Sequence, residues 1–532
     1  MTRGGFHSRR SAVLARHGMV ATSQPLAAMA GLRVLMAGGN AADAAVATAA
    51  MLNVVEPMST GIGGDCFALV YDRQSDEVTA LNGSGRSPRA FMLEEAQRRG
   101  LRSIPLTGPL PVTVPGTASG WQALLDRFGT MTLAECLAPA IETAEQGFPV
   151  SERISGGWQR STEKLSQDDE AARVYLPAPR EGQIHRQPDL ARTFRQVAEG
   201  GARAFYHGPI AERIAAAVQA KGGYLTAEDM ADQEATWHAP ISTTYRGIEV
   251  LEHPPNGQGL AALIALNIVE GYDVAGLDYF DPVRWHVMIE AMRLAMVDAG
   301  RYVADPALVD VPLEELLSKG YADLRRSEIH PNRALSRAIP GTPEHRDTVY
   351  LTTADAHGNA VSFINSLYYG FGSGIVAPGT GICLQNRGAC FVLEPGHPNV
   401  LAGGKRPYHT IIPAMARRDG RLWLSFGVMG GFMQPQGHLQ VIANMVDYGL
   451  DPQAALDAPR FRVDERGSAA VAIETGVPLK TRKALDGMGH KVDAETMFAP
   501  GFGGGQIIAI DPETGVLWGG SDPRKDGCAV GF

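Results

Sequence analysis

Cysteine is scarce in this chain. Cys66, Cys136, Cys383, Cys390 and Cys528 are five in 532 residues, an odd number without CxxC spacing. Reduced thiols are therefore expected, and neither a disulfide framework nor a zinc site is. No HExxH pattern occurs, so lone histidines such as His286 and His438 are expected to be packed or exposed helix residues. Basic charge is not in excess: 48 Lys and Arg stand against 57 Asp and Glu, for a net charge of -9. A nucleic-acid or anionic-membrane partner would need a basic face, so neither is expected. The glycine-rich stretches GFGSG and GIGGDC lack the Lys-Ser/Thr of a phosphate loop and the setting of a dinucleotide fingerprint. No metal and no organic cofactor is expected.

Long apolar runs are also missing. The most apolar helical stretch, Ala41 to Val55, is alanine-rich, can be capped by Asn40 and ends before Pro57. It is too short for a bilayer and reads as a core helix. The first twenty residues carry positive charge but no apolar core of about 7 to 15 residues, so a cytoplasmic protein is expected.

What is present is a mixture of strand and helix patterns. Strand-like stretches come early (CFALVYD, EVTALNG), long amphipathic helices fill about 120 to 330, and hairpins return after Thr348. That order predicts a layered α/β body assembled from both ends of the chain.

The run DTVYLTTADAHGNAVSFINSLYYGFGSG, from Asp347 to Gly374, is the most informative. It reads as a β-hairpin with Thr348 at its first position. A hydroxyl is a poor nucleophile until a base takes its proton, and an α-amine with a pKa of about 7.7 to 8 can do so. A mid-chain amide cannot. Thr348 would need the Asp347–Thr348 bond cut first.

Several ordered blocks give this hairpin a context: GGNAADAAVATAAMLNVVEPMSTGIGGD, VPGTASGW, PPNGQG, FGSGIVAPGTGICLQNRG, GVMGG and GGSDPRKDG. With them the chain resembles, almost end to end, the γ-glutamyltransferase (γ-glutamyltranspeptidase) family of N-terminal-nucleophile hydrolases. The resemblance implies a four-layer αββα sandwich, cut into 1–347 and 348–532, the two pieces staying together as one body. It implies that the Thr348 hydroxyl first attacks the preceding carbonyl and then the substrate amide. Ser366 stands where typical members have a second threonine that supports the nucleophile. Gly430 and Gly431 match the glycine pair whose N–H groups form the oxyanion hole; without a side chain nothing blocks the oxyanion there.

The substrate pocket departs from the family pattern. In QNRGACF, Asn386 is kept, Arg387 replaces a glutamine, and Cys390 stands where an acidic residue holds the substrate α-ammonium. A thiol cannot balance an ammonium, and Arg387 favours an acyl group bearing only a carboxylate. His409 and Thr410 replace a serine pair. The lid between Cys390 and Lys405 is short, which predicts an open access path. Arg86 is the candidate for the carboxylate-binding arginine, two places later than typical. The first function expected is hydrolysis or transfer of γ-glutamyl amides such as glutathione, with water or an amino-acid or peptide amine as acceptor. A glutaryl- or cephalosporin-type acylase is the alternative, and an inactive small-molecule-binding relative is the non-enzymatic one. A higher oligomer is left open.

Overall fold

The structure is a computed structural model that describes residues 10–336, 348–464 and 467–532. Fourteen strands build its two main sheets among the described residues: β1 Val13–Ala15, β2 Gly18–Thr22, β3 Asp65–Asp72, β4 Glu77–Gly83, β5 Thr236–His238, β6 Ile241–Tyr245, β7 Ile248–Glu252, β8 Val349–Asp355, β9 Ala360–Ser366, β10 Ala414–Arg418, β11 Arg421–Met429, β12 Gly504–Ile510, β13 Leu517–Ser521 and β14 Cys528–Gly531. One sheet runs β1-β13-β12-β11-β10-β7-β6 and the other β14-β2-β8-β9-β3-β4-β5. Every neighbouring pair in them is antiparallel.

The sheets face each other, with Met19, Leu69, Ala354, Met415, Ile508 and Leu517 in the core between them. Each outer face is covered by helices: Pro25–Met36, Ala41–Val55, Thr117–Phe128 and Leu133–Gln146 on one side, Gly259–Glu270 and Met433–Tyr448 on the other. The result is the expected αββα sandwich. Both faces of the central strands are therefore buried, and all seven residues of β8 and of β9 are buried. This is why their sequences show no apolar-polar alternation.

The alanine-rich stretch forms the predicted helix, Ala41–Val55, with every residue buried. Asn40 closes a capping box, its side chain accepting from the N–H groups of Ala42 and Asp43 while Asp43 accepts from the Asn40 N–H. Small side chains let its neighbour approach closely. A Cβ added at Gly31 would lie 2.2 Å from Thr48 Oγ1. Among the described residues no helix is long and apolar enough to cross a membrane.

Candidate active site

Side chains on a strand alternate between faces. On β8, Val349 and Leu351 belong to the helix-side core and Tyr350 to the cluster between the sheets, so Thr348 shares the inter-sheet parity of Tyr350. On β9, Phe363 faces the helices and Ile364 the inter-sheet space, which turns Ser366 inward and Asn365 away. The β8–β9 register then brings the two hydroxyls together, and Thr348 Oγ1 lies 3.1 Å from Ser366 Oγ. Asn365 instead donates to the Asp65 carbonyl at 2.8 Å and to Thr117 Oγ1 at 2.9 Å. Ser366 Oγ also accepts from the Tyr368 N–H at 2.8 Å. Tyr368 adopts φ +83°, a left-handed conformation unusual for a residue with a side chain. Local strain of this kind concentrates at functional sites.

Arg387 lies under this pair. Its Nη1 donates to Thr410 Oγ1 at 2.8 Å and is 4.0 Å from Cys390 Sγ; its Nη2 is 3.4 Å from Ser366 Oγ. The guanidinium carbon sits 4.2 Å from the centre of the Tyr368 ring. Arg387 is 0 % exposed, its Nε has no hydrogen-bond partner, and among the described residues no carboxylate forms an ion pair with it. Burial alone holds its pKa below the usual range, with partial relief from Cys390, Tyr368 and the more distant Asp65. A buried cation surrounded by neutral groups is a costly arrangement that an anionic ligand would relieve.

Asp65, opposite Ser366 on β3, organises the loops around that cation. Its Oδ1 accepts from Gly85 N at 3.0 Å, Gly116 N at 3.1 Å and Gln385 Nε2 at 2.8 Å. Its Oδ2 is 3.0 Å from His409 Nε2. The Ile411 N–H points at His409 Nδ1, so Nε2 carries the proton and donates to Asp65. Burial pushes the Asp65 carboxyl up to about 6 against the opposing pull of Arg387 and the surrounding N–H donors. Burial, then Arg387, keeps His409 neutral, well below its ordinary range.

The glycine pair closes β11. Gly430 and Gly431 have φ of +121° and +60°, conformations that only glycine adopts without strain. Gln258 fixes their loop, donating to the Gly431 carbonyl at 2.8 Å and the Thr410 carbonyl at 2.7 Å while accepting from Tyr408 OH. Gln258 belongs to the PPNGQG block, and Asn256 of the same block donates to the Pro407 carbonyl and accepts at its own carbonyl from His409 N. One loop thus sets both the glycine turn and the His409-Thr410 segment. Two adjacent hydroxyls, a buried cation and a glycine turn are groups that hydroxyl attack on an amide carbonyl can use.

Of the residues expected at the site, the structure joins Thr348, Ser366, Arg387, Cys390 and Thr410 by direct contacts; His409 adjoins Thr410 in the chain, and Gly431 is linked to Thr410 through Gln258. Asn386 holds loops instead: its side chain accepts from Tyr369 N and donates to the Leu106 carbonyl. Arg86 departs from its expected role. Its side chain is 37 % exposed, donates to the Gly404 carbonyl and pairs with Asp305 at 3.5 Å. Thr348 is 1 % exposed, and the Tyr368 ring lies over the Arg387 guanidinium. Asp347 lies outside the described residues. Asp65 and Gln258 went unassigned from sequence, although both sit inside blocks, GIGGD and PPNGQG, that stood out there.

One buried group among the described residues, His286, Glu290 and His490, brings ligand atoms within 4.8 Å of one another. The carboxylate of Glu290 already binds Arg293 Nη1 at 2.5 Å and Leu335 N at 2.9 Å. The adjacent guanidinium opposes a metal cation there.

Comparison with known proteins agrees with this geometry. A family model described as gamma-glutamyltranspeptidase matches residues 27–532. The chain is 40 % identical over 521 residues to a glutathione hydrolase-like YwrD proenzyme of Bacillus subtilis, covering 97 % of this chain and 98 % of that protein. It is 35 % identical over 535 residues to an oxamate amidohydrolase proenzyme of Klebsiella pneumoniae, covering 98 % and 100 %. A crystal structure of cephalosporin acylase from Bacillus halodurans superposes with a TM-score of 0.94 at 48 % identity, covering 99 % of this chain and 98 % of that one. A hydroxyl-led hairpin within one of two facing sheets and a match along nearly the whole sequence lead to one conclusion: the chain belongs to the gamma-glutamyltranspeptidase family.

Proposed function

We propose that this protein is a self-processing threonine amidohydrolase whose acyl substrates end in a carboxylate and lack a neighbouring amino group, as glutaryl amides do. The observation that carries this reading is Arg387, a fully buried guanidinium with no carboxylate partner among the described residues, one contact from Ser366 and next to the thiol of Cys390. A γ-glutamyl group would bring an ammonium that finds a cation and a thiol here. Similarity to proteins named for cephalosporin acylase and oxamate amidohydrolase activity supports the reading; oxamate too is an amide with a carboxylate and no α-ammonium. Similarity to proteins named as glutathione hydrolases keeps γ-glutamyl amides as the second reading.

In processing, Thr348 Oγ1 attacks the carbonyl carbon of residue 347 and the Thr348 nitrogen leaves as a free α-amine, so the amide becomes an ester; water then hydrolyses that ester, freeing Oγ1 and the carboxylate of residue 347. In turnover that amine takes the hydroxyl proton as Oγ1 attacks the substrate carbonyl. Ser366, 3.1 Å away, orients Oγ1 by hydrogen bonding. The N–H groups at Gly430 and Gly431 meet the oxyanion, and the leaving amine departs with the proton. Water then releases the acid, while Arg387 holds the far carboxylate. The pieces 1–347 and 348–532 stay joined because strands of each alternate in both sheets.

Initial rates with glutaryl, γ-glutamyl and butyryl 4-nitroanilides test the reading. Glutaryl is expected to exceed both others by at least tenfold in kcat/KM. Equal or better use of the γ-glutamyl compound would overturn it.

A further inference from the structure

Arg387 has a counter-charge, although not in contact with it. Asp65 reaches the loop of Arg387 through Gln385, two residues earlier, and reaches Thr410, the acceptor of Arg387 Nη1, through the adjacent His409. Both segments that carry the cation's environment are therefore hung on one carboxylate. That carboxylate is fully buried, as are Gln385, His409, Thr410 and Arg387. Before a ligand enters, Asp65 and Arg387 together are close to neutral. A carboxylate brought to Arg387 adds a second negative charge to a region where burial weakens screening.

Resting on the reading that Arg387 takes the acyl carboxylate, we infer that Asp65, with His409, determines how tightly the pocket holds that carboxylate: the buried pair takes up one proton from solvent as the anion binds. The proton has a place to sit, on Asp65 Oδ2, which faces His409 Nε2, while Oδ1 keeps its three donors and His409 keeps its Nε2–H tautomer. The other titratable groups that act on or around Asp65 do not compete for it. Cys66 and Tyr206 are held protonated by burial, and Arg406 stays cationic with its pKa near 10. The position of the Asp65 carboxyl, pushed up to about 6 without ligand, agrees with a group poised to protonate near neutrality. Linkage then requires the affinity for the carboxylate to rise as pH falls toward 6, with a limiting slope of about one logarithmic unit per pH unit.

The mature enzyme is titrated calorimetrically with 5-oxohexanoate, a ketone analogue of a glutaryl amide without a leaving group, in buffers of different ionisation heat. 2-Hexanone, which lacks the carboxylate, corrects for any response of the Thr348 amine. Uptake of roughly half to one proton per 5-oxohexanoate at pH 7 is expected, and none for 2-hexanone. In Asp65→Asn the uptake and the pH slope are expected to vanish while binding persists. Zero net uptake by the parent enzyme, which needs no variant to fold, overturns the inference, as does unchanged uptake in Asp65→Asn. Arg387→Gln separates the two levels. If it binds 5-oxohexanoate as the parent does, the carboxylate reading itself fails; if it loses binding while the parent shows no proton uptake, only the role of Asp65 fails.

Discussion

Replacing Cys390 by aspartate converts the pocket's electrostatics with a change of a few atoms. Cys390 Sγ lies 4.0 Å from Arg387 Nη1, inside a site where Arg387 is 0 % exposed. A carboxylate at that separation attracts the guanidinium by about 4 kcal/mol at an effective dielectric constant near 20. The incoming acyl carboxylate then competes with a resident one and is repelled by it. With part of this attraction offset by desolvation of the new carboxylate, a net loss of about 1.5 to 3 kcal/mol is expected, a fall of roughly ten- to a hundredfold in kcat/KM for glutaryl 4-nitroanilide. The same carboxylate gives an ammonium its partner, so the γ-glutamyl to glutaryl ratio of kcat/KM is expected to rise by more than tenfold. The assay follows 4-nitroaniline release at several substrate concentrations, using protein whose intact mass shows complete processing. A ratio unchanged within twofold in fully processed Cys390→Asp would refute the argument that Arg387 and position 390 set the charge the pocket accepts.

Thr348→Ala is expected to remain one chain of full mass after long incubation, whereas the parent gives two. Ser366→Ala removes one hydrogen bond to Oγ1, of about 1 kcal/mol; processing and kcat are expected to slow about fivefold with KM held within twofold. At Gly430 a Cβ would lie 3.0 Å from Gly503 Cα on a backbone of φ +121°, so Gly430→Ala is expected to lower kcat more than KM and to lose about 1 to 3 kcal/mol in urea denaturation. Arg524→Met strands the buried Glu474 carboxylate, which accepts from Arg524 Nε at 2.9 Å, and a loss of about 3 to 5 kcal/mol is expected in the same denaturation measurement.

The layered fold and the pairing of Thr348 with Ser366 were legible because they rest on local patterns. The β8–β9 hairpin, the Asn40-capped helix and the glycine pair each announce themselves over a few residues, and strand parity alone separates Ser366 from Asn365. The order of blocks supplied the family. What stayed hidden depends on contacts between distant segments. Arg86 has the right chemistry, but its direction is set by Asp305 and Gly404, more than 200 positions away in sequence. Asp65 looked like part of a glycine-rich turn because its four partners come from four separate stretches. The placement of the Tyr368 ring over Arg387, with Tyr368 at a positive φ beside Ser366, is likewise set by contacts that no local pattern shows.

The strand order has a consequence for how the two pieces must be made. In one sheet β8 lies between β2 and β9, and in the other the run β13 to β10 is flanked by β1 on one edge and β7 and β6 on the other. Neither side of a break before Thr348 owns a finished sheet. Two polypeptides made separately would each expose long unpaired edges, so folding as one chain before scission is the expected order.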